Sequence, residues 1–497
     1  MQAVFPDISL SLAAPEIGLA ALICAVLIAD LFTSLENKAA MGMLSLAGVV
    51  VLAAVALSQW GAGTRTTFGG FYVADNFSVF MKVVVFVCTA LSILLSLHYV
   101  KVERINYGEY YAMMLFSLFG MLVMLSGNDL LTIYLGIETM SISIYVLVAF
   151  ILHDPLSREA GLKYFLMGSF ASGILLYGMA LAYGFTGTTA LQGIGEALAG
   201  KPLASQPAMV LALILLVAGF GFKMALVPFH MWLPDAYTGA PTAITAFMSV
   251  AVKAATVGAL MRLFFTAFPA MAPQWNLLMW VLAAATMIWG NLGAIAQTSL
   301  KRMLAYSSIA HAGYLLMGVV AGLGMQGGKA VFAPQAVSAV TFYLAAYLVT
   351  NLGAFGMLIY ICREGYRGDL IDDWRGVGQA HPWAGLAFVV FLLSLAGIPP
   401  TAGFVGKLFL FAAAIQGEYY WLAVIGILTS AVSMYYYGRI MMVMFMEERG
   451  GAQPAVEFSK APSLFLALVI LVFFTLLLGV FPGGVIEAAK GSVQGLL

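Results

Sequence analysis

The chain has 497 residues, 63% hydrophobic and 9% charged, and its 22 basic and 22 acidic residues give a formal net charge of zero. Soluble domains carry roughly 25% charged residues, so this composition excludes a soluble globular protein and points to a polytopic membrane protein. With charge balanced and no extensive basic cluster, nucleic-acid binding and an anionic-lipid switch are excluded as well.

About fourteen apolar segments are long enough to span roughly 30 Å of hydrocarbon. In chain order they lie at 14–33, 41–59, 77–99, 109–126, 130–152, 161–186, 208–229, 241–265, 275–297, 302–322, 334–362, 383–413, 420–446 and 461–481. Their length and continuity favour helices over a membrane barrel, because only helices need about twenty apolar residues per crossing. The fold class is therefore all-α, embedded in a lipid bilayer, and the short connections leave no room for a soluble catalytic domain. The first segment follows Asp7 and Glu16 with no basic region before it, so it reads as a retained span and not as a cleavable signal peptide.

Basic residues set the orientation. With the N-terminus outside, inner loops hold Lys38, Lys101, Arg104, Arg158, Lys301, Arg302, Arg363, Arg367, Arg375, Arg449 and Lys460, against Arg65, Lys201, Arg262, Lys329 and Lys490 outside. The positive-inside rule then places both termini outside.

Cys24, Cys88 and Cys362 are far apart and lack the paired spacing of a zinc or iron–sulfur site. They read as small buried core residues. The Gly-x-Gly pairs at Gly193/Gly195, Gly219/Gly221 and Gly376/Gly378 lack the third glycine and the strand–turn–helix context of a dinucleotide site. The chain itself is expected to carry no cofactor and no metal.

Against this apolar background, Glu138, Lys223, Lys253 and Lys407 are ionisable residues inside spans. A charge at the bilayer centre costs roughly 2.5–3.5 kcal/mol even on a lenient insertion scale, so such residues face the protein interior and mark ion or proton paths. Thr242, Thr245, Ser249, Lys253 and Thr256 fall on one helix face. Tyr134, Glu138, Ser141 and Tyr145 form another, and Lys301, Ser308, His311 and Tyr314 a looser third. Isolated hydroxyls in such helices usually bond their own backbone or glue neighbours; stripes centred on Lys or Glu read as hydrated paths.

Two segments are internally broken. GFGFKMALVPFHMWLPDAYTGAP places Pro228, Pro234 and Pro241 after Lys223, and LAGIPPTAGFVGKLFLF places Gly397, Pro399, Pro400, Gly403 and Gly406 before Lys407. Proline removes a backbone donor, and interrupted helices at corresponding places in two halves point to a transport site near the midplane. The spacing predicts two inverted five-helix repeats, 109–265 and 275–446, each with a broken helix as its fourth member. Three N-terminal helices (1–108) and a C-terminal helix with tail (461–497) flank them.

Burial lowers a lysine pKa and raises that of a carboxyl group, and a nearby opposite charge does the reverse, so a Glu–Lys pair that opens and closes can release and rebind a proton. Glu138 with Lys223 is the candidate pair, Lys253 the next acceptor and Lys407 the terminal site. His230 and His311 titrate near neutral pH and are candidate relays, with packing as the alternative for each. Lys163 lies near the inner end of its span, where it either snorkels to the interface or feeds the path.

These residues carry a resemblance. The chain is similar to the antiporter-like membrane subunits of respiratory complex I and of multisubunit cation/proton antiporters over roughly 109–446, most strongly in KMALVPFHMWLPDAYTGAPTAITAFMSVAVKAA from Lys223 to Ala255. The resemblance implies that Glu138, Lys223 and Lys253 match the proton-carrying glutamate and lysines, and that Lys163, His230, Lys301 and His311 match accessory positions. GIPPTAGFVGKLFLF, with lysine at 407, and LYGMALAYGFTG resemble the N-type branch of NADH:quinone oxidoreductase. What this implies is a proton-pumping translocase subunit of a respiratory-chain complex in a bacterial plasma membrane. Its partners would be other membrane and peripheral subunits, neighbouring antiporter-like subunits among them, with FMN, iron–sulfur clusters and quinone held by those partners. The alternative is an Mrp-type secondary cation/proton antiporter subunit, using the same lysines without redox coupling.

Overall fold

A computed structural model of the chain describes residues 8–34, 37–199, 206–326, 329–448 and 458–496; Asp7, Lys201 and Arg449 lie outside them. The helices are α1 (Ala14–Leu31), α2 (Ala39–Leu57), α3 (Asn76–Val102), α4 (Gly108–Leu125), α5 (Leu130–Val148), α6 (Pro155–Thr186), α7 (Leu191–Leu198), α8 (Pro207–Met224), α9 (Trp232–Gly239) and α10 (Thr242–Ala267). They continue as α11 (Ala272–Ile295), α12 (Leu300–Gly322), α13 (Pro334–Ile361), α14 (Val377–Ala380), α15 (Pro382–Ala396), α16 (Ala402–Gln416), α17 (Tyr420–Met446), α18 (Pro462–Val480) and α19 (Gly483–Val493). Thirteen helices among the described residues are long and apolar enough to cross a membrane. The expected span at 383–413 is instead the shorter pair α15 and α16, and the other thirteen expected spans each correspond to one of these helices.

Local chemistry sets the helix starts. Asp75 caps α3 through a reciprocal capping box with Ser78, and Asp129, Asp154 and Ser299 accept from backbone N–H groups at the starts of α5, α6 and α12. Asp154 followed by Pro155 explains why α6 begins six residues before the apolar run expected at 161–186.

Two antiparallel hairpins complete the described secondary structure. β1 (Arg65–Thr67) pairs with β2 (Tyr72–Ala74), Thr66 opposite Val73, and β3 (Leu323–Gln326) pairs with β4 (Lys329–Phe332), Gly324 opposite Val331.

Burial sorts the helices into layers. In α10 the whole of the most apolar window is buried, with 94% in α12 and 89% in α13, against 33% in α1, α2 and α18. The first three form the centre of the bundle, and the last three turn apolar faces outward, as lipid contact requires. Cys88 and Cys362 are buried as expected, but Cys24 is exposed on α1, because that peripheral helix has partners on one side only.

The described termini meet at one end. The Ser9 backbone N–H donates to Thr67 Oγ1 at 2.8 Å, and Asn76 Nδ2 donates to the Gly491 carbonyl at 3.3 Å. Arg262 pairs there with Asp75 at 2.8 Å. At the opposite end Arg104 meets Glu364, and Arg367 meets Asp154 at 2.7 Å.

Helices α4 and α5 pack closely beside the site. A Cβ on Gly120 would lie 2.4 Å from Met140 N and 2.5 Å from Gly136 O, and one on Gly136 would lie 2.6 Å from Met124 N. These contacts are with backbone, which cannot swing aside, so glycine is what allows the approach that fixes the register of Glu138 on α5. Gly120→Val should therefore destabilise the chain by about 1–3 kcal/mol or more, seen as reduced assembly on native gels and a lower unfolding temperature in detergent; wild-type behaviour would contradict this packing constraint.

Candidate functional site

Both expected interruptions are present. α8 closes at Met224 with Ala225 in the left-handed conformation (φ 57°), its N–H and that of Leu226 returning to the carbonyls of Phe222 and Gly221. α15 closes the same way at Gly397 (φ 87°), where the N–H groups of Gly397 and Ile398 return to Leu393 O at 2.9 Å. A lysine sits at the C-terminal end of each half-helix, where unpaired carbonyls and the helix dipole both favour a cation.

Lys407 uses those carbonyls directly. Its Nζ donates to Leu395 O at 2.8 Å, Ala396 O at 2.9 Å and Ser430 Oγ at 2.8 Å, and lies 5.1 Å from the Tyr314 ring. The carbonyls freed by the break are thus taken by Lys407 itself.

Glu138 on α5 and Lys223 on α8 do not form an ion pair, although Lys223 reaches α5. Lys223 Nζ donates to Ser141 Oγ at 2.8 Å and Tyr145 OH at 3.3 Å, while Ser172 Oγ donates to Glu138 Oε1 at 2.5 Å. Ser141 is one helical turn from Glu138, so a modest swing of either side chain would bring the two together. Lys223 is buried, but Glu138 is half-buried on the outward side of α5.

Lys253 is buried on α10, about 16 Å along the helix from Thr242. It donates to the carbonyl and hydroxyl of Ser308, whose hydroxyl also accepts from Tyr347 OH at 2.9 Å. His311 Nδ1 bonds Tyr343 OH, and the His311 ring lies 4.9 Å from Tyr347 and 5.7 Å from Tyr314. Tyr314 then borders Lys407. In this half, polar side chains follow one another from Lys253 through His311 to Lys407.

The first half is interrupted. Between Lys223 and Lys253 stand Tyr145, Tyr164 and Trp232, with the last two stacked at 4.2 Å and nearly parallel. Trp232 Nε1 donates to Phe222 O at 3.0 Å, which ties this stack to the last turn of α8.

The remaining candidates separate. Lys301 is buried at the start of α12 and donates to Ala240 O at 2.7 Å, next to the helix that carries Lys253. Lys163 has 47% of its side chain exposed and pairs with Glu159 at 2.7 Å and Asp235 at 3.0 Å, at the rim and not on the line. His230 lies in the α8–α9 break with its ring 6.2 Å from Trp289, away from both lysines of that half.

Sequence reading missed Lys82. It lies inside α3, fully buried, paired with Glu16 at 2.6 Å and donating to Tyr72 OH at 2.8 Å. A lysine five residues into an apolar run is itself the signal; its partner on α1 was not visible. No group of three or more His, Cys, Asp or Glu able to hold a metal occurs among the described residues.

A family model described as NADH:quinone oxidoreductase/Mrp antiporter, TM, matches residues 127–433. NADH-quinone oxidoreductase subunit N of Trichlorobacter lovleyi is 42% identical over 491 residues, covering 99% of this chain and 98% of the relative. The chain belongs to the subunit N family of NADH-quinone oxidoreductases. A chain of respiratory complex I from Thermus thermophilus with bound aureothin superposes with a TM-score of 0.78 at 32% identity, covering 95% of this chain and 98% of that one. A chain of the Mrp complex from Dietzia sp. superposes with a TM-score of 0.83 at 21% identity, covering 98% of both, a likeness of fold alone. Membership in the family fits the broken helices and buried lysines described above.

The Lys407 site yields a test. A Cβ on Gly397 would require the left-handed conformation of an L-residue and would lie 2.8 Å from Lys407 Cδ. Gly397→Ala should cost about 1–2 kcal/mol locally and move the ammonium off its carbonyls, lowering proton transport in an assembled complex. Undiminished transport measured with a pH-sensitive dye would contradict the dependence on this geometry.

Proposed function

We infer that the chain is the N-type membrane subunit of an NADH:quinone oxidoreductase and translocates protons while other subunits carry out the redox chemistry. The carrying observation is the run of buried lysines on polar helix faces, within a chain 42% identical over nearly its full length to a subunit of that name. That identity favours the quinone oxidoreductase over the Mrp-type alternative, whose structural likeness is one of fold.

In this reading Glu138 and Lys223 form the switching pair. Lys223 rests on hydroxyls in the present arrangement; approach of the Glu138 carboxylate holds its proton, and withdrawal in a desolvated site favours release. Lys253 receives the proton. His311, between Tyr343 and Lys253's partner Ser308, relays toward Lys407, the terminal site, and Lys301 and Lys163 serve the inner approach, with His230 in an accessory place. The architectural reading that goes with this is two inverted five-helix units, 109–265 and 275–446, each with a broken helix in fourth place. The helices at 1–108 and 461–497 flank them.

The half-buried Glu138 supports a further part of the reading. A carboxylate on the outward face of a membrane helix requires cover by a polar neighbour, which the adjoining membrane subunits would supply. FMN, iron–sulfur clusters and quinone belong to partner subunits. The complex would sit in a bacterial plasma membrane with both termini outside, which agrees with the meeting of the described termini at one end of the bundle.

Glu138→Ala and Lys223→Ala should each cut quinone-coupled proton pumping by roughly tenfold or more while leaving the complex assembled, because each removes one member of the switching pair. Dye-monitored pumping in vesicles, with assembly scored on native gels, decides it; wild-type pumping by both assembled variants overturns the pair.

Lys407→Arg separates proton carriage from electrostatic anchoring. Arginine keeps the charge but is effectively never deprotonated, whereas a buried lysine can lose its proton. The substitution should assemble and lose most pumping. If it pumps like wild type, Lys407 is a fixed charge.

A further inference from the structure

At the end of the bundle away from the described termini, a mixed charge cluster sits directly beneath the Lys253 helix. The segment after α13 folds back across the start of α12: Leu300 N–H donates to Asp369 O at 2.7 Å, Ile371 N–H donates to Thr298 O at 3.0 Å, and Leu370 bridges Ser299. This strap places Asp369 within electrostatic reach of Lys301, without a direct ion pair between them. Arg367, on the same strap, reaches Asp154 at 2.7 Å and Glu103 at 3.5 Å, and Cys362 Sγ lies 3.7 Å from Glu103 Oε1.

Two features mark Asp369 and its surroundings. Its carboxyl oxygen Oδ1 is buried, yet receives no hydrogen bond from any described residue. The neighbouring Lys301 ammonium is buried too, and its Nζ reaches Ala240 O at 2.7 Å, two residues before Thr242 begins the stripe Thr242–Thr245–Ser249–Lys253. Lys163, Asp235, Gly239 and Arg302 line an open cleft of about 80 Å³ with room for water, and Gly239 and Arg302 are the chain neighbours of Ala240 and Lys301.

We propose that Asp369 and Lys301 form the inner-side proton-loading site that feeds Lys253. The proposal rests on the reading of Lys253 as a proton carrier. A proton from water binds the Asp369 carboxylate and passes to Lys301 in its neutral form, which leaves the carboxylate ready to reload. From Lys301 it reaches the stripe, where Thr245 Oγ1 now donates to Tyr237 O at 2.9 Å and Ser249 Oγ accepts from Asn351 at 2.6 Å, so each hydroxyl must rotate once to pass it on. The groups facing Asp369 are Lys301, Arg367, Glu103 and Asp373; burial raises its carboxyl above the usual range despite the two cations. Asp154 behaves oppositely: burial pushes it up, but the hydrogen bonds from Arg367 and Leu156 N–H bring it below that range, so it stays a fixed charge.

The test uses the assembled complex in inverted vesicles energised with NADH and quinone. Asp369→Asn keeps the backbone carbonyl that holds Leu300, and should reduce proton uptake by roughly tenfold or more, with Asp369→Glu restoring part of it. The double variant Asp369→Asn with Lys301→Gln removes both charges. If Asp369 were only a counter-charge, the double variant would recover pumping; the proposal expects it not to. Lys253→Ala is the control: wild-type pumping there overturns the proton-carrier reading itself, whereas loss there with wild-type pumping in Asp369→Asn overturns only the loading site. Carbodiimide modification of the wild-type complex, followed by peptide mass spectrometry, needs no variant. A protonatable, water-reached Asp369 is labelled, and failure to label in mildly acidic buffer overturns the proposal.

Discussion

An ammonium group inside a membrane bundle must find oxygen, and most of this architecture follows from how each buried lysine does so. Lys82 takes a carboxylate, Glu16, and is locked. Lys253, Lys301 and Lys407 take carbonyls and hydroxyls instead. Neutral acceptors stabilise a charged lysine without holding its proton as an anion would, which in the proposed pathway is what lets these three exchange where Lys82 does not. A regular helix has no spare carbonyls to offer. Breaking α15 at Gly397 exposes Leu395 O and Ala396 O, which is why the proline–glycine run and the lysine occur together.

The two halves are unequal in how their polar groups connect. From Ser308 onward, hydroxyls, His311 and tyrosines succeed one another toward Lys407. Between Lys223 and Lys253 the stacked Tyr164 and Trp232 fill the corresponding space. Because Trp232 is bonded to the Phe222 carbonyl in the last turn of α8, movement of the Lys223 end of that helix moves the stack with it. In the proposed pathway, transfer in the first half would thereby be tied to the backbone at the break, and in the second half to side-chain rotation.

The outer layer is built on the opposite requirement. α1, α2 and α18 bury only a third of their apolar windows and turn the rest outward, which suits lipid, while α10, α12 and α13 are enclosed and carry the polar stripes. Glu138 is the exception, a carboxylate only half-buried on α5. Its position fits the proposed assembly, in which a neighbouring subunit covers that face.

Composition and period alone determined that this is a helical membrane protein, where its spans lie, that two of them are broken, and which residues share a face with Glu138 and Lys253. Those conclusions follow from local rules, since twenty apolar residues must be helical in lipid and residues three or four apart must share a face. Partnership is a different matter. That Glu138 bonds Ser172 and Lys223 bonds Ser141, that Lys82 is locked to Glu16, and that Asp369 is strapped within electrostatic reach of Lys301 depend on which helices touch and at what register. Glu16 and Lys82 are 66 positions apart, and Asp369 and Lys301 are 68 apart. No periodicity relates such positions. Only tertiary packing, fixed by backbone approaches such as Gly120 against Gly136 and by the caps that start each helix, decided which buried charge is held by an opposite charge and which rests on neutral oxygens.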